Sequence, residues 1–179
     1  MGGTNYIRNK NGVLFTSPIQ TTVNSLYGGS EVSDIAGIET TLSSVLIPAN
    51  AFQTSDLIEI ESRLRKSSVV PFGSCIMKVR IGTAQTTSDV LVATFSSSTT
   101  TNNFYQIKRT LKITSATTTS EILDPTANLS IDNNFSGYTL SNVSINWGIN
   151  NYISVTATLS SATDGINCMH IRTKRFPST

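Results

Sequence analysis

Few residues in this chain could bind a metal or attack a substrate. The single histidine, His170, stands two places after Cys168, and the other cysteine, Cys75, lies far upstream. Zinc favours sulfur and imidazole ligands, but this spacing matches no standard zinc pattern and a fourth ligand is not evident. A histidine-based triad would also need His170, and no Gly-x-Ser-x-Gly motif accompanies the serines. We therefore expect no metal, no cofactor and two buried, reduced thiols.

Paired carboxylates are the next candidates, because glycosidases place two acids across a cleft. Glu59 and Glu61 share one side of a strand-like run, and we interpret them as outward charges that discourage pairing at a sheet edge. The stretch "DNNFSG" spaces Asp132 and Asn134 like the start of a calcium loop, but Val143 stands where a bidentate glutamate is required. The sequence therefore predicts no catalytic or metal-binding residues, and a protein that is not an enzyme.

Strands are the elements that must position these side chains. In "DLIEIESRLRK", residues 56–66, apolar and charged residues alternate, as on a strand with one buried face and one wet face. Similar runs are "TLSSVLI", "CIMKVRIG", "DVLVATF", "YQIKRTLKI", "VSINW", "NYISVTATLSS" and "INCMHIR". Only "SEVSDIAGIETTLSS" suggests a short turn of helix. These features predict an all-β domain of about eight strands.

The loops between these runs are uneven in length, which favours an antiparallel double-sheet jelly-roll sandwich over an up-and-down barrel. An immunoglobulin-like sandwich is the alternative. It would carry a Cys–Trp–Cys arrangement, whereas Trp147 lies near Cys168 and far from Cys75. The spacing therefore favours the jelly roll.

Charge and hydropathy exclude several partners. Charged residues are only 13% of the chain, against about 25% in a typical soluble protein. Net charge is +2, and the basic residues form separate groups along the sequence, so we expect no dominant basic patch and no nucleic-acid partner. No apolar run is long enough for a membrane span, and the first residues lack the order of a signal peptide. We expect synthesis in the cytosol and no membrane partner.

The first residues differ from the rest. We predict an extended N-terminal arm over residues 1–37 and the jelly roll over 38–179. Asn11-Gly12 is a hairpin signal, and Gly28-Gly29 breaks the chain before the domain. The arm is too small for a core of its own, so we expect it to be ordered by docking on a partner. Its candidate anchoring residues are apolar: Val13, Leu14, Phe15 and Ile19.

The stretch "TTLSSVLIPANAFQTSDLIEIESRLRK", with "CIMKVRIGTAQ", "NFYQIKRTLKI" and "NVSINWGINNYISVTATL", carries a family resemblance. Over residues 38–175 the chain resembles the trimeric jelly-roll heads of bacteriophage fibre and capsid-decoration proteins, whose plan is like the tumour-necrosis-factor fold. The resemblance lies in the strand rhythm and in the phrase "IPAN-F--SD-I-I--R-RK", not in catalytic residues.

This resemblance implies a virion structural protein, assembled in the host cytoplasm. It would be a homotrimeric head-fibre, capsid-decoration or short tail-fibre protein, with its arm on another virion protein and its jelly roll facing outward. A host surface glycan is a further expected partner. A carbohydrate-binding or receptor-binding jelly-roll module is the alternative.

Overall fold

The computed structural model describes residues 6–8, 14–16, 24–25, 32–33, 36–67, 73–97, 104–128, 130–132 and 139–177, the first four ranges as backbone only. No helix occurs in these ranges, so none is present that could span a membrane. The strands are β1 (Tyr6–Arg8), β2 (Leu14–Thr16), β3 (Asn24–Ser25), β4 (Val32–Ser33), β5 (Thr40–Ile47), β6 (Leu57–Ser67), β7 (Cys75–Gly82), β8 (Val90–Ser97), β9 (Phe104–Ser115), β10 (Thr119–Leu123), β11 (Leu140–Val143), β12 (Asn151–Leu159) and β13 (Gly165–Phe176).

Two antiparallel sheets form the domain. The smaller sheet has the order β5-β12-β7-β8, and the larger one β11-β10-β9-β6-β13, with β3 and β4 pairing along β13. The chain changes sheet between β4 and β5, β5 and β6, β6 and β7, β8 and β9, β11 and β12, and β12 and β13. The predicted fold class, an all-β antiparallel double-sheet sandwich of jelly-roll type, is confirmed.

The alternation of apolar and polar residues along each strand places the apolar side chains in the core. The inward rows of both sheets meet in one apolar cluster, which contains Ile58 and Leu64 of β6, Val79 of β7 and Val155 of β12. Burial of each such side chain contributes about 1.5–3 kcal/mol, which offsets the entropy of ordering the chain. The alternating pattern of the sequence and the buried set therefore agree.

The connection between β11 and β12 departs from the sequence prediction. "VSINW" was expected to be a strand, but β11 ends at Val143, and Ile145 and Trp147 are buried beyond it. The Trp147 ring meets Phe52 edge-on at 4.9 Å, and its Nε1 donates a hydrogen bond to Ser120 Oγ at 3.0 Å. Trp147 therefore fills the core from a loop, because its ring can pack without strand geometry.

Two other expectations are wrong. Residues predicted as a loop after β9 contain β10, which pairs with both β9 and β11. The stretch expected to form a helical turn instead supplies β4 and the start of β5. In both places pairing with a neighbouring strand prevails over local preference.

One short segment closes the open side of the sandwich. Asn128 forms a parallel bridge with Thr94 of β8, and Ile131 forms one with Lys108 of β9. The Asn128 side chain also accepts a hydrogen bond from the Ser96 amide at 2.6 Å. This segment joins the edge of the smaller sheet to the larger one.

Candidate functional site

Strand register brings together basic residues that are far apart in the sequence. On the larger sheet, Arg172 of β13 and Lys108 of β9 are the two neighbours of Glu61 on the central strand β6. Lys174 lies beside Glu59 in the same way. The expectation that no basic patch dominates is wrong, because it took separation along the chain for separation in space.

We define the basic face as the outward side of β6, β9 and β13. Its charged residues are Glu59, Glu61, Arg63, Arg65, Lys108, Lys112, Arg172 and Lys174. The alternation of side chains along each strand determines which residues belong to the basic face. Lys66, Arg109 and Arg175 are sequence neighbours of its members, but they face inward. Lys66 and Arg109 are fully buried there, and Arg175 forms an ion pair of 2.6 Å with buried Asp56.

The two carboxylates of the basic face lie beneath its cations. Glu61 is 3% exposed and is held by Arg172, by Arg63 Nε at 3.0 Å and by Gln106 Nε2 at 2.7 Å. Glu59 is 12% exposed and forms ion pairs with Lys108 Nζ at 2.7 Å and Lys174 Nζ at 3.1 Å. These glutamates were expected to protect a sheet edge, which is wrong: β6 is a central strand, and they pair with cations across it.

The electrostatics keep both carboxylates charged. Burial would raise the pKa of Glu59, but hydrogen bonds from Lys108 and Lys174 lower it below its usual value. Burial would also raise the pKa of Glu61, but the charge of Arg172 and the hydrogen bond from Arg63 lower that pKa below its usual value. Opposite charges at this distance favour the ionised form. Each glutamate therefore acts as a fixed negative charge that orders the cations above it.

The accessible charge of this face is positive. The Arg63 side chain is 61% exposed and that of Lys174 is 41% exposed, while Arg65 and Lys112 are also exposed. Two aromatic residues flank the cations: Phe104, 65% exposed, pairs with Arg65, and Phe176, 47% exposed, pairs with Leu57 at the opposite end of β6. Chemically, this surface can bind anions and pack against apolar groups, but it holds no nucleophile.

A β-bulge separates the residues that looked most like metal ligands. The register shifts between Cys168 and His170, so Cys168 pairs with inward Leu64 whereas His170 pairs with outward Arg63. Cys168 is buried in the core, and His170 borders the basic face. Their spacing of two would place both side chains on one face of a regular strand, but the bulge adds a residue to the alternation and separates them.

The histidine and the thiols have different environments. Burial lowers the pKa of His170, as do Arg172 and Arg63, while Glu61 opposes them. Both cysteines are free and buried; burial raises the pKa of Cys75 to about 11 and that of Cys168 to about 12. A protonated thiol is a poor nucleophile and a poor metal ligand. Among the described residues, no three potential ligands of these types come together.

At one end of the sandwich, a buried cluster contains a lysine, an aspartate and a cysteine, which are residue types that can react, but their side chains are not exposed to solvent. Lys66 Nζ lies 3.4 Å from the Gly73 carbonyl oxygen and 5.2 Å from the centre of the Tyr105 ring. Asp164 Oδ2 accepts a hydrogen bond from the Gly73 amide at 2.9 Å. The charges of Lys66 and Asp164 both act on the pKa of Cys75, the first lowering it and the second raising it. All of these side chains are buried, so the group stabilises the packing between the two sheets.

The outer face of the smaller sheet carries a second ion cluster. Glu39 accepts from Lys78 Nζ at 2.6 Å, from Arg80 Nε at 2.7 Å and from Thr156 Oγ1 at 2.6 Å. Burial would raise its pKa, but the hydrogen bonds of Arg80, Lys78 and Thr156 lower it to about 2. Lys78 and Arg80 share this one carboxylate, so the cluster keeps one net positive charge.

The hairpin loop between β7 and β8 folds back toward β5 on this side. Gln85 accepts a hydrogen bond from Ser44 Oγ at 2.6 Å, and its carbonyl accepts one from Thr41 Oγ1 at 3.2 Å. Ser154 and Thr156 of the intervening strand β12 are fully buried. These two outward hydroxyl side chains are therefore covered within one chain.

Several predicted residues fall outside the described ranges. Of the candidate anchoring residues, Val13 and Ile19 lie outside them, while Leu14 and Phe15 are in β2, where only the backbone is described. Of the calcium-like stretch, Asp132 is described and accepts from the Thr110 amide, and Asn134 lies outside.

Comparison with protein-family models and with curated proteins finds no match, so the surfaces are interpreted from their own geometry.

Proposed function

We propose that this chain is a non-enzymatic structural protein of a bacteriophage virion. It would form a trimeric head-fibre, capsid-decoration or short tail-fibre protein, with its N-terminal arm on the particle and its sandwich facing outward. The observation that carries the proposal is the division of the arm into two parts. β1 and β2 pair only with each other among the described strands, whereas β3 and β4 add to the edge of β13.

The hairpin of β1 and β2 has only two strands, and this limits its stability. A two-stranded hairpin alone is marginally stable in water and becomes stable when it joins a sheet or a core. Asn11-Gly12, the hairpin signal of the sequence, lies between the paired residues Arg8 and Leu14, so the sequence favours this hairpin locally. A segment of this kind, ahead of a complete sandwich, suits docking on a partner by strand addition.

Other features agree with a structural role. The buried Lys66, Asp56 and Asp164 engage neighbouring groups of the same domain, and the cysteines are protonated core residues. The resemblance to phage head domains rests on the "IPAN-F--SD-I-I--R-RK" phrase, which spans the end of β5, its loop and most of β6. A trimer would also multiply weak contacts of each arm.

Quantitative mass spectrometry of purified virions tests this proposal. We expect the chain at a fixed stoichiometry to the major capsid or tail protein, and at a copy number divisible by three. Its absence from particles purified out of an infection in which it is expressed would contradict the virion assignment.

A receptor-binding or carbohydrate-binding module is the second candidate function. The exposed Phe104 beside the cations favours it, because it supplies an accessible aromatic surface that the inward Trp147 does not. Binding of the isolated chain to a glycan array, together with its absence from virions, would favour this candidate.

A further inference from the structure

The basic face carries more positive than negative charge, and part of the positive charge is exposed. Its two carboxylates are buried under cations, and Arg65 and Lys112 form no ion pair among the described residues. The Glu39 cluster has two cations and one carboxylate, a net charge of +1, whereas the basic face has six cations and two carboxylates, a net charge of +4. The positive charge that remains accessible is therefore concentrated on one side of the molecule.

We propose that the basic face binds an acidic polysaccharide, a chain of sugar rings that carries carboxylate or sulfate groups. This inference rests on the proposed function for its biological setting, since it names the class of surface ligand that an outward-facing sandwich would contact.

The spacing of the cations fits a linear polyanion. Arg172 and Lys108 lie on the strands either side of β6, which places their Cα atoms about 10 Å apart, and Arg63 and Arg65 follow each other along β6 at about 7 Å. The cations thus form a flat grid across three strands. A polymer whose charges are separated by whole sugar rings can meet several of them at once.

The positions between the cations also suit sugars. Gln106 and Thr110 lie outward on β9, and they present an amide and a hydroxyl that can hydrogen-bond to ring substituents. Phe104 offers an exposed ring next to Arg65, on which the apolar side of a sugar can pack. Charge, hydrogen bonding and apolar contact are then all available within one surface.

The same geometry disfavours single-stranded nucleic acid. Such ligands stack successive bases on closely spaced aromatic residues. Here Phe104 and Phe176 lie at opposite ends of β6, separated by eight residues, or about 26 Å of strand. Between these ends, the imidazole of His170 is the only aromatic ring that lies outward on the three strands in the described residues. One ring gives no platform for successive bases.

The test uses the full-length chain and four probes: heparin, polygalacturonate, neutral dextran and an oligothymidylate strand. We expect binding to heparin or polygalacturonate that weakens with added salt, no binding to dextran, and weaker binding to the oligonucleotide. Arg65→Gln should weaken polysaccharide binding by about three- to tenfold, and Arg65→Gln with Lys112→Gln by more, since each charged contact is worth that much. Phe104→Ser should weaken it without changing the salt dependence.

Lys78→Gln is the matched control, because it removes one positive charge from the smaller sheet while Arg80 still pairs with Glu39. Circular dichroism checks that each variant is folded. Equal losses in Arg65→Gln and Lys78→Gln, tighter binding to the oligonucleotide, or no binding to either acidic polysaccharide would overturn the proposal. Each result is independent of whether the chain is found on virions, so failure here is distinguishable from failure of the proposed function.

Discussion

At the scale of single residues, two fully buried serines differ in their hydrogen bonding. Ser62 lies in the inward row of β6, and its Oγ has no hydrogen-bond partner in the described structure, whereas Ser120 Oγ accepts from Trp147 Nε1. An unpaired buried hydroxyl costs free energy, and a paired one stabilises. We expect Ser62→Ala to be neutral or to raise the free energy of unfolding by up to about 1 kcal/mol, and Ser120→Ala to lower it by about 1–2 kcal/mol.

Urea denaturation of the two variants measures this difference. The two substitutions are chemically identical, so each controls the other. Equal destabilisation by both would show that the Ser62 hydroxyl has a partner in solution.

Glu39 should make stability depend on acidity. Its pKa is about 2 in the folded chain, below the ordinary value of 4.5, so its contribution is fully present above about pH 4.5 and is lost as pH falls toward 2. We expect Glu39→Gln to lower the free energy of unfolding at pH 7 by about 1–3 kcal/mol, because Arg80 and Lys78 lose their shared partner. The deficit should shrink as pH falls.

Denaturant titrations at pH 7 and pH 3 check this prediction, with Glu121→Gln on strand β10 as the control. A deficit for Glu39→Gln that is the same at both pH values would contradict the assignment of a charged, paired carboxylate.

The inward-facing basic residues show which features of single residues the sequence does not predict. Arg65 and Lys66 are neighbours in the sequence, yet one is exposed and the other is fully buried. The period of two predicts this difference, but it does not say what Lys66 contacts, since the Gly73 carbonyl oxygen and the Tyr105 ring lie outside β6. The bulge at residue 169 is equally invisible, because no glycine or proline marks it.

At the scale of elements, the arm has two parts, and we expect their removal to have different effects on the free energy of unfolding. Removing residues 1–22 takes away the β1–β2 hairpin, which pairs with no other described strand. Removing residues 1–35 also takes away β3 and β4 and leaves the edge of β13 open. We expect the shorter truncation to leave the free energy of unfolding unchanged and the longer one to lower it by about 1–3 kcal/mol, for the loss of a few backbone hydrogen bonds.

An open edge also promotes association between chains. Chemical denaturation and dynamic light scattering of the two truncations measure both effects. Identical midpoints and identical particle sizes would show that β3 and β4 contribute nothing to the sandwich.

The strands with clear alternation could be predicted from sequence alone. β7 was located at its exact bounds, and β6, β9, β12 and β13 within a few residues, because one buried face imposes the period of two. β10 was missed because it begins with Thr119 and Ser120 after a run of threonines that resembles a loop, and its pairing partners are set by tertiary structure. The basic face was missed for the same reason: its residues alternate correctly in each strand, but only strand order reveals that β13, β6 and β9 are adjacent.

At the scale of the whole molecule, we predict a homotrimer. The outer face of the smaller sheet exposes Leu46 of β5 and Ile76 of β7, and its Lys78 and Arg80 both pair with Glu39, which leaves one net positive charge in that cluster. A surface with exposed apolar residues and little free charge suits contact between protomers. Closed rotational symmetry then limits the number of chains.

Multi-angle light scattering of the full-length chain should give three times the mass of one chain. Ile76→Asp should shift it toward the monomer, while Leu140→Asp, which changes an equally apolar exposed position on β11 of the larger sheet, should not. A wild-type monomer at tens of micromolar, or a trimer unaffected by Ile76→Asp, would contradict this interface.

The central claim is that the arm hairpin attaches an outward-facing sandwich to a virion. The most direct measurement supplies either the full-length chain or residues 23–179 to a phage that lacks its own copy, and counts the copies per purified particle by mass spectrometry. Residues 23–179 keep β3 and β4, so the sandwich edge remains paired. The account predicts full occupancy for the full-length chain and none for residues 23–179, although both form the same oligomer in solution. Full occupancy by residues 23–179, or absence of the full-length chain from particles, would contradict it.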